Sequence, residues 1–258
     1  MTDLPNSDFY VAAYEPGAEH PALPTWACRG HNPVALDEDW PGKAIQRRDI
    51  TSVPGAFQLT GVLSAEECRR FIELTESLGY LPDAAVSLPR DIRHNDNVVW
   101  VTDEGTDGII WERIASLVKR NLTQLNGKPP LGINARFRFY RYREGDYFRF
   151  HSDGAWPGSR VIEDKLVANA YPDRYSQLTL LLFLNDDFDG GATRFLLEPG
   201  DKGGQLQSST STVADIRTPA GGALCFPHGA HPLHRVHSSE PIHRGVKYVI
   251  RSDVLFRL

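Results

Sequence analysis

The chain has 258 residues, of which 41% are apolar and 10% aromatic, enough to bury a full core and too much for a disordered or fibrous protein. Twenty-eight Lys and Arg against 33 Asp and Glu leave a net charge of −5, so no global positive field attracts phosphate backbones or anionic lipid, and neither nucleic acid nor a membrane is an expected partner. Cys28, Cys68 and Cys225 are scattered and odd in number, which suits neither a disulfide framework nor a metal pair. With a polar opening and no apolar run near the membrane-spanning length of about 20 residues, they predict a soluble cytoplasmic protein with buried free thiols.

Residues 1–56 carry Pro5, Pro16, Pro21, Pro24, Pro33 and Pro41 without sustained periodicity, and are expected to form an irregular arm packed on the body through Trp26 and Trp40. Phe57, Leu59 and Leu63 then lead into Ser64-Ala-Glu-Glu67, a capping box that opens a helix running to about Leu78, with Cys68, Phe71, Ile72 and Leu78 at helical spacing and Gly79 as a stop. The polar stretch 81–101, holding Arg90, Arg93, His94 and Asn95, resists regular assignment and is expected to be a flap. A second helix is predicted over about 109–125, with Trp111, Ile114, Val118, Leu122 and Leu125 on one stripe.

After Pro129 the period becomes that of strands. Residues 133–142 alternate, with Phe137 and Phe139 on one face and Arg138, Tyr140 and Tyr142 on the other. Further strands are predicted at 148–150, 178–184, 192–197, 213–216, 223–226 and 246–256. Gly-rich turns divide them at 144–145, 189–191, 199–200, 203–204 and 219–222. Helices followed by a run of short strands predict an α+β fold, a double-stranded β-helix (jelly roll) with flanking N-terminal helices, spanning 57–258 behind the 1–56 arm. The apolar side of 133–142 should meet the helices, leaving Arg138, Tyr140 and Tyr142 to face the interior of the roll, where polar groups imply a ligand.

His151-Ser152-Asp153 follows a strand, and residues two apart on extended chain project to the same side, so an imidazole and a carboxylate converge. A third ligand is available among His228, His231, His234, His237 and His243. Two histidines and a carboxylate on one face of a divalent metal form the triad of non-haem Fe(II) oxygenases, with open positions for substrates. The spacing of three between His228, His231, His234 and His237 also suggests zinc, but would align them only on a helix, which Pro232 and the strand pattern disfavour.

Taken together, the segments Val62-Leu-Ser-Ala-Glu-Glu-Cys68, Arg141-Tyr-Arg-Glu-Gly-Asp-Tyr-Phe-Arg-Phe-His-Ser-Asp153, Thr179-Leu-Leu-Leu-Phe-Leu-Asn185, Gly190-Gly-Ala-Thr-Arg-Phe195, Pro219-Ala-Gly-Gly-Ala-Leu-Cys-Phe226 and His237-Ser-Ser-Glu-Pro-Ile-His-Arg-Gly-Val-Lys247 resemble the prolyl 4-hydroxylase-type Fe(II)/2-oxoglutarate-dependent dioxygenases, from about Phe57 to Phe256. The resemblance implies His151, Asp153 and His237 as the iron ligands, since the family places a basic residue ten positions after its distal histidine and Lys247 fits. It implies 2-oxoglutarate and O2 as cosubstrates, with ascorbate in support. Lys247 would hold the distal carboxylate of 2-oxoglutarate with help from Tyr142, and Thr179 lies on the strand lining that pocket. Arg251 rivals Lys247, because residues 247, 249 and 251 share a strand face and a guanidinium binds carboxylates bidentately.

Two departures stand out, Phe148 and Phe183, where related hydroxylases often carry tyrosine. The connection 154–175, with Trp156, Arg160 and Arg174, is also longer than in compact relatives, and loops beside a rigid site commonly set substrate choice; Arg174 is a candidate substrate contact. The family analogy favours a prolyl residue in a protein or peptide, with a free amino acid or small natural product as the alternative. A cupin-like metalloprotein without 2-oxoglutarate, or a non-catalytic binding module, are the readings from other classes. The first has no need of a cation such as Lys247, and the second no need of three filled ligand positions.

Overall fold

The computed structural model describes residues 8–40, 45–85, 88–120, 128–197, 205–206 and 212–258. The proline-rich lead-in is not irregular. It forms β1 (Phe9–Glu15) and β2 (Leu23–Cys28), an antiparallel pair with its prolines at the margins, and β3 (Gln46–Asp49). Then come β4 (Phe57–Thr60) and helix α1 (Ala65–Leu78), which begins where the capping box places it. The Ser64 hydroxyl accepts from the Glu67 amide at 3.1 Å, and the Glu67 carboxylate accepts from the Ser64 amide at 2.8 Å. Gly79, at φ +89°, ends the helix.

The expected flap instead holds β5 (Arg93–His94) and β6 (Asp96–Val101). The β-branched and aromatic run Val98-Val99-Trp100-Val101 carries β6 into the middle of a sheet, overriding the polar character of the residues before it. Helix α2 (Glu104–Val118) starts five residues earlier than the periodicity suggests, because Asp103 caps it through the Thr106 amide at 3.0 Å. Leu122 and Leu125 of the expected stripe lie outside the described residues, as do the turns at 199–200 and 203–204.

After residue 129 the seven expected strands are present, together with seven short ones among the described residues that the sequence pattern does not indicate. They are β7 (Pro130–Ile133), β8 (Arg136–Tyr142), β9 (Tyr147–His151), the hairpin β10 (Arg160–Ile162) and β11 (Lys165–Val167), and β12 (Arg174–Phe183). After these come β13 (Asp189–Gly190), β14 (Thr193–Leu197), β15 (Gln205–Leu206) and β16 (Thr212–Ile216). The last four are β17 (Ala223–Pro227), β18 (His237–Ser239), β19 (Ile242–Arg244) and β20 (Lys247–Arg257).

Among the described residues the protein is mostly β, with two main sheets and two helices. The larger sheet runs β1-β2-β6-β8-β20-β12-β17-β4-β3, with β7 also on β20; the smaller runs β15-β16-β14-β18-β9-β5. From β8 onward the chain passes repeatedly between them, so that β8, β12, β17 and β20 lie in one and β9, β14, β16 and β18 in the other. Both helices cover the outer side of the larger sheet, where Phe71, Ile110 and Ile114 pack with Phe137, Phe139 and Trp100 in one apolar cluster. Trp100 stacks on Phe139 at 6.0 Å and meets Phe71 at 6.4 Å, and such ring pairs each add about 0.5–1.5 kcal/mol to the burial of their area. Between the sheets Phe183, Phe195, Phe226 and Val249 form a second cluster, closing one end of the interior. The alternation along β8 therefore does what its sequence requires, sending Phe137 and Phe139 outward to the helices and Tyr140 and Tyr142 inward.

Glu67 ties three segments together. Besides capping α1, its carboxylate accepts from the Asp37 amide at 2.9 Å and from Arg113 of α2 at 2.7 Å, with the pair almost wholly buried. The Arg113 guanidinium lies 4.3 Å from the Trp40 ring, while Trp26 is half-buried against the core, so both indoles of the lead-in are anchored. Burial alone would raise the Glu67 carboxyl, but Arg113 and the Ser64 and Asp37 amides outweigh it and hold the group below its usual range. Its contribution is present above the unfolded-state value and lost as pH falls through the folded-state one. Glu67→Ala, which strands Arg113 in the interior, is expected to cost about 3–5 kcal/mol in denaturant unfolding.

All three cysteines are free, with Cys68 and Cys225 buried and Cys28 half-buried. No helix among the described residues is long and apolar enough to cross a membrane.

Candidate functional site

Strand β9 ends on His151, β18 begins on His237, and the two are paired in register. Asp153 follows β9 immediately. One ligand atom from each of His151, Asp153 and His237 lies within 4.8 Å of the others; His151 Nε2 is 3.6 Å from Asp153 Oδ1 and His237 Nε2 is 3.7 Å from Asp153 Oδ2. The other ring nitrogens are committed. His151 Nδ1–H donates to the Arg149 carbonyl at 2.8 Å and His237 Nδ1–H to the Arg235 carbonyl at 3.3 Å, which fixes both tautomers with Nε2 lone pairs directed at the shared space. Phe148 lies parallel to the His151 ring at 3.5 Å, and Phe226 meets the His237 ring edge-on at 4.6 Å.

The charge state suits a cation. Burial pushes the His237 imidazole down to about 4, so it is neutral at physiological pH. Burial works to raise the Asp153 carboxyl, but the Arg251 guanidinium and the two imidazoles overcome it and hold the group well below the usual carboxylate range. Among the described residues no second cluster of metal-ligating side chains is present. The other histidines of the C-terminal run separate by environment: His234 and His243 are exposed, while His228 and His231 are buried.

His228 belongs to a directed chain of hydrogen bonds. The Trp156 amide donates to Ser176 Oγ at 2.7 Å, and the Ser176 hydroxyl bonds His228 Nε2 at 2.8 Å. His228 Nδ1–H donates to Thr179 Oγ1 at 2.8 Å, and the Thr179 hydroxyl donates to Asp153 Oδ2 at 2.7 Å. Thr179, expected on the pocket wall, thus acts on the carboxylate instead. Thr179→Val is expected to weaken divalent-metal binding about 10–100-fold in a titration, as the loss of an outer partner of a ligating carboxylate does.

The triad opens into a small pocket also lined by Tyr140, Tyr142, Phe183, Lys247, Val249 and Arg251, among others. Lys247 is buried within it. Its Nζ donates to the Gly191 carbonyl at 2.6 Å and to Ser239 Oγ at 3.1 Å, is ringed by Tyr142, Phe183 and Phe188 at 5.2–5.9 Å, and pairs with no carboxylate among the described residues. Burial pulls its ammonium down to about 7. Gly191, at φ +66°, makes room for this arrangement; a Cβ there would stand 2.5 Å from Ile242 and 3.2 Å from the lysine stem.

Arg251 is differently engaged. Its guanidinium is 3.5 Å from Asp153 Oδ2 and 3.1 Å from Asp253 Oδ1, so it braces Asp153. Arg174 pairs with Asp173 at 2.8 Å and does not line the pocket. Ser239 and Asp253 were not singled out by sequence reasoning. Asp253 shares the strand parity of 247, 249 and 251, which is a usable signal, whereas Ser239 reaches Lys247 only through the meeting of β18 with β14 and has none.

No family model matches the chain, and no curated protein matches it. Solved structures do. A prolyl hydroxylase from Trichoplax adhaerens, in complex with a hypoxia inducible factor oxygen degradation domain peptide fragment, superposes with a TM-score of 0.52 at 18% identity over 78% of this chain and 83% of that one. A viral collagen prolyl hydroxylase from Paramecium Bursaria Chlorella virus-1 aligns at 0.49 and 18% identity over 81% and 100% of the two chains, and a Pseudomonas putida prolyl-4-hydroxylase at 0.47 and 17% over 87% and 97%. The chain thus shares its fold with the Trichoplax adhaerens prolyl hydroxylase.

Proposed function

We propose that the protein is an Fe(II)/2-oxoglutarate-dependent dioxygenase that hydroxylates an unactivated C–H bond. The observation that carries this is Lys247, a buried cation without a carboxylate, in one pocket with the convergent set His151, Asp153 and His237. A cupin-like protein that does not use 2-oxoglutarate would gain nothing from that lysine, and a module that had lost its chemistry would have no cause to keep three ligand atoms together. The two sheets are read as a double-stranded β-helix, with residues 57–258 as the catalytic unit and 1–56 packed on it.

The donor set fits iron. Two imidazole nitrogens and one carboxylate, gathered on one side of a common point, are the ligand pattern that leaves coordination positions open. Fe(II), with 2-oxoglutarate and O2, would supply the hydroxylation, coupled to conversion of 2-oxoglutarate to succinate and CO2. His151, Asp153 and His237 would hold it, with ascorbate as a supporting reductant. Arg251 and Thr179 keep Asp153 ionised and fixed in orientation. Lys247 offers its ammonium to the distal carboxylate of 2-oxoglutarate, beside Tyr142. Phe148 and Phe183, lacking the hydroxyls that related hydroxylases often carry there, make the wall between apolar and leave the polar contacts of that end to Lys247, Tyr142 and Ser239.

A prolyl residue in a protein or peptide is the substrate class the resemblance brings, and the Trichoplax adhaerens neighbour is in complex with a peptide fragment. A free amino acid or small natural product is the second reading, favoured by one buried arginine taken up below. Incubation with Fe(II), ascorbate, 2-oxoglutarate and panels of peptides and amino acids, followed by mass spectrometry, tests the reaction type. The expected product gains the mass of one oxygen atom, with matching succinate; succinate production surviving in His151→Ala would contradict the reading.

A further inference from the structure

Four arginines of the β8 and β20 strands are buried. Arg136 pairs with Glu15 at 2.6 Å, Arg141 with Glu76 and Asp96 at 2.7 and 2.8 Å, and Arg251 with Asp153 and Asp253. Arg138 has no such partner. It is 7% exposed, makes no hydrogen bond or ion pair with any described residue, and its Nε is wholly enclosed and unpaired. A buried cation left in this state is costly unless something completes it.

Its surroundings indicate what that is. Arg138 shares the inward face of β8 with Tyr140 and Tyr142, and stands directly across from Arg251 in the β8–β20 register, whereas Tyr142 stands across from Lys247. The two carboxylate-free cations are therefore about 13 Å apart along the strands, at roughly 3.3 Å per residue. Arg251, which touches Asp153, is at Arg138's end of this face. The Trp156 indole lies 5.2 Å from the Arg138 guanidinium. The Trp156 backbone is tied to β12: its amide donates to Ser176 Oγ, and its carbonyl accepts from the Ser176 amide at 2.9 Å. A buried planar fork beneath an aromatic surface suits a carboxylate carried on an apolar body.

We infer that Arg138, beneath Trp156, is the substrate's carboxylate-recognition residue, and that the substrate is a small molecule with a free carboxylate, such as an amino acid. This rests on the dioxygenase reading and narrows its substrate class. The depth of Arg138 argues against an internal residue of a polypeptide, whose neutral amides run on at both sides and whose chain needs both an entrance and an exit. A free amino acid ends in the group Arg138 lacks.

The test uses the full chain, held anaerobically with 2-oxoglutarate, with and without Fe(II), and a probe panel of the twenty free amino acids and their carboxamides, with binding read by calorimetry. At least one acid is expected to bind about 30-fold or more tightly than its amide, the loss seen when one partner of a buried charge pair is removed. Arg138→Met should bring the acid to the level of the amide, Arg138→Lys should restore part of the preference, and both should leave 2-oxoglutarate affinity unchanged. Without ligand, Arg138→Met should melt about 2–4 °C higher, because an uncompensated buried charge is gone; if that variant does not fold, Arg138→Gln serves for the binding comparison. The inference is overturned if no acid is preferred to its amide, if the preference survives in Arg138→Met, if 2-oxoglutarate affinity falls there instead, or if a folded Arg138→Met melts lower. Failure of the wild type to form a visible band with Fe(II) and 2-oxoglutarate marks failure of the dioxygenase reading, whereas a band without acid preference marks failure of this inference alone.

Discussion

Asp153→Ala is expected to abolish Fe(II) binding at micromolar metal and with it all 2-oxoglutarate turnover, measured by metal titration and succinate release. The carboxylate is the anionic member of the set and the point where Arg251, Thr179 and two imidazoles meet. Removing it leaves the Arg251 guanidinium beside two imidazoles with no anion among them, so the field at the site changes from attracting to repelling a cation. The loss should therefore exceed the roughly 100-fold ceiling expected for Thr179→Val, which only loosens the same carboxylate. Arg251 keeps Asp253 in the variant, so the fold is expected to persist and the effect to be one of metal binding.

Lys247→Ala should have the second-largest effect. It removes the buried ammonium proposed to meet the distal carboxylate of 2-oxoglutarate, and truncating one side of such a pair costs about 2–5 kcal/mol, or at least about 30-fold in affinity. Metal binding should remain, which separates this variant from Asp153→Ala. The wild type carries a pH signature of the same contact. In the free protein burial holds the lysine at about 7, and a bound carboxylate requires it charged. Binding is then expected to take up about one proton at pH 8 and little at pH 6, so that affinity falls as pH rises above 7, by up to about tenfold per pH unit. Calorimetry in buffers of different ionisation enthalpy checks this. Affinity that is level across this range would remove Lys247 from the role.

Much of the fold could be read from local rules. The capping box at Ser64, the alternation along β8 and the Gly-rich turns each report on a few adjacent residues, and the structure follows them. What escaped were segments whose assignment depends on partners far along the chain. The lead-in strands β1 and β2 exist because β6 offers an edge, and β6 itself was hidden by the polar residues before Val98. The candidate site divides in the same way. His151 and Asp153 are suggested by their spacing at a strand end, His237 only by the family resemblance that ties it to Lys247, and the structure brings all three together. The choice between Lys247 and Arg251 could not be made from strand parity, since both face inward. The structure distinguishes their surroundings: Arg251 pairs with Asp153 and Asp253, whereas Lys247 meets no carboxylate among the described residues. The isolation of Arg138 was likewise invisible, because lacking a partner is a property of the packed interior and not of any motif.

The most direct test is anaerobic addition of Fe(II) and then 2-oxoglutarate to the purified chain, followed by visible absorption. The site described here should give a charge-transfer band that saturates at one iron per chain, requires both additions, and is absent in His151→Ala, Asp153→Ala and His237→Ala. A folded wild-type protein that gives no band, or a band that persists when any of these three ligands is removed, would contradict it.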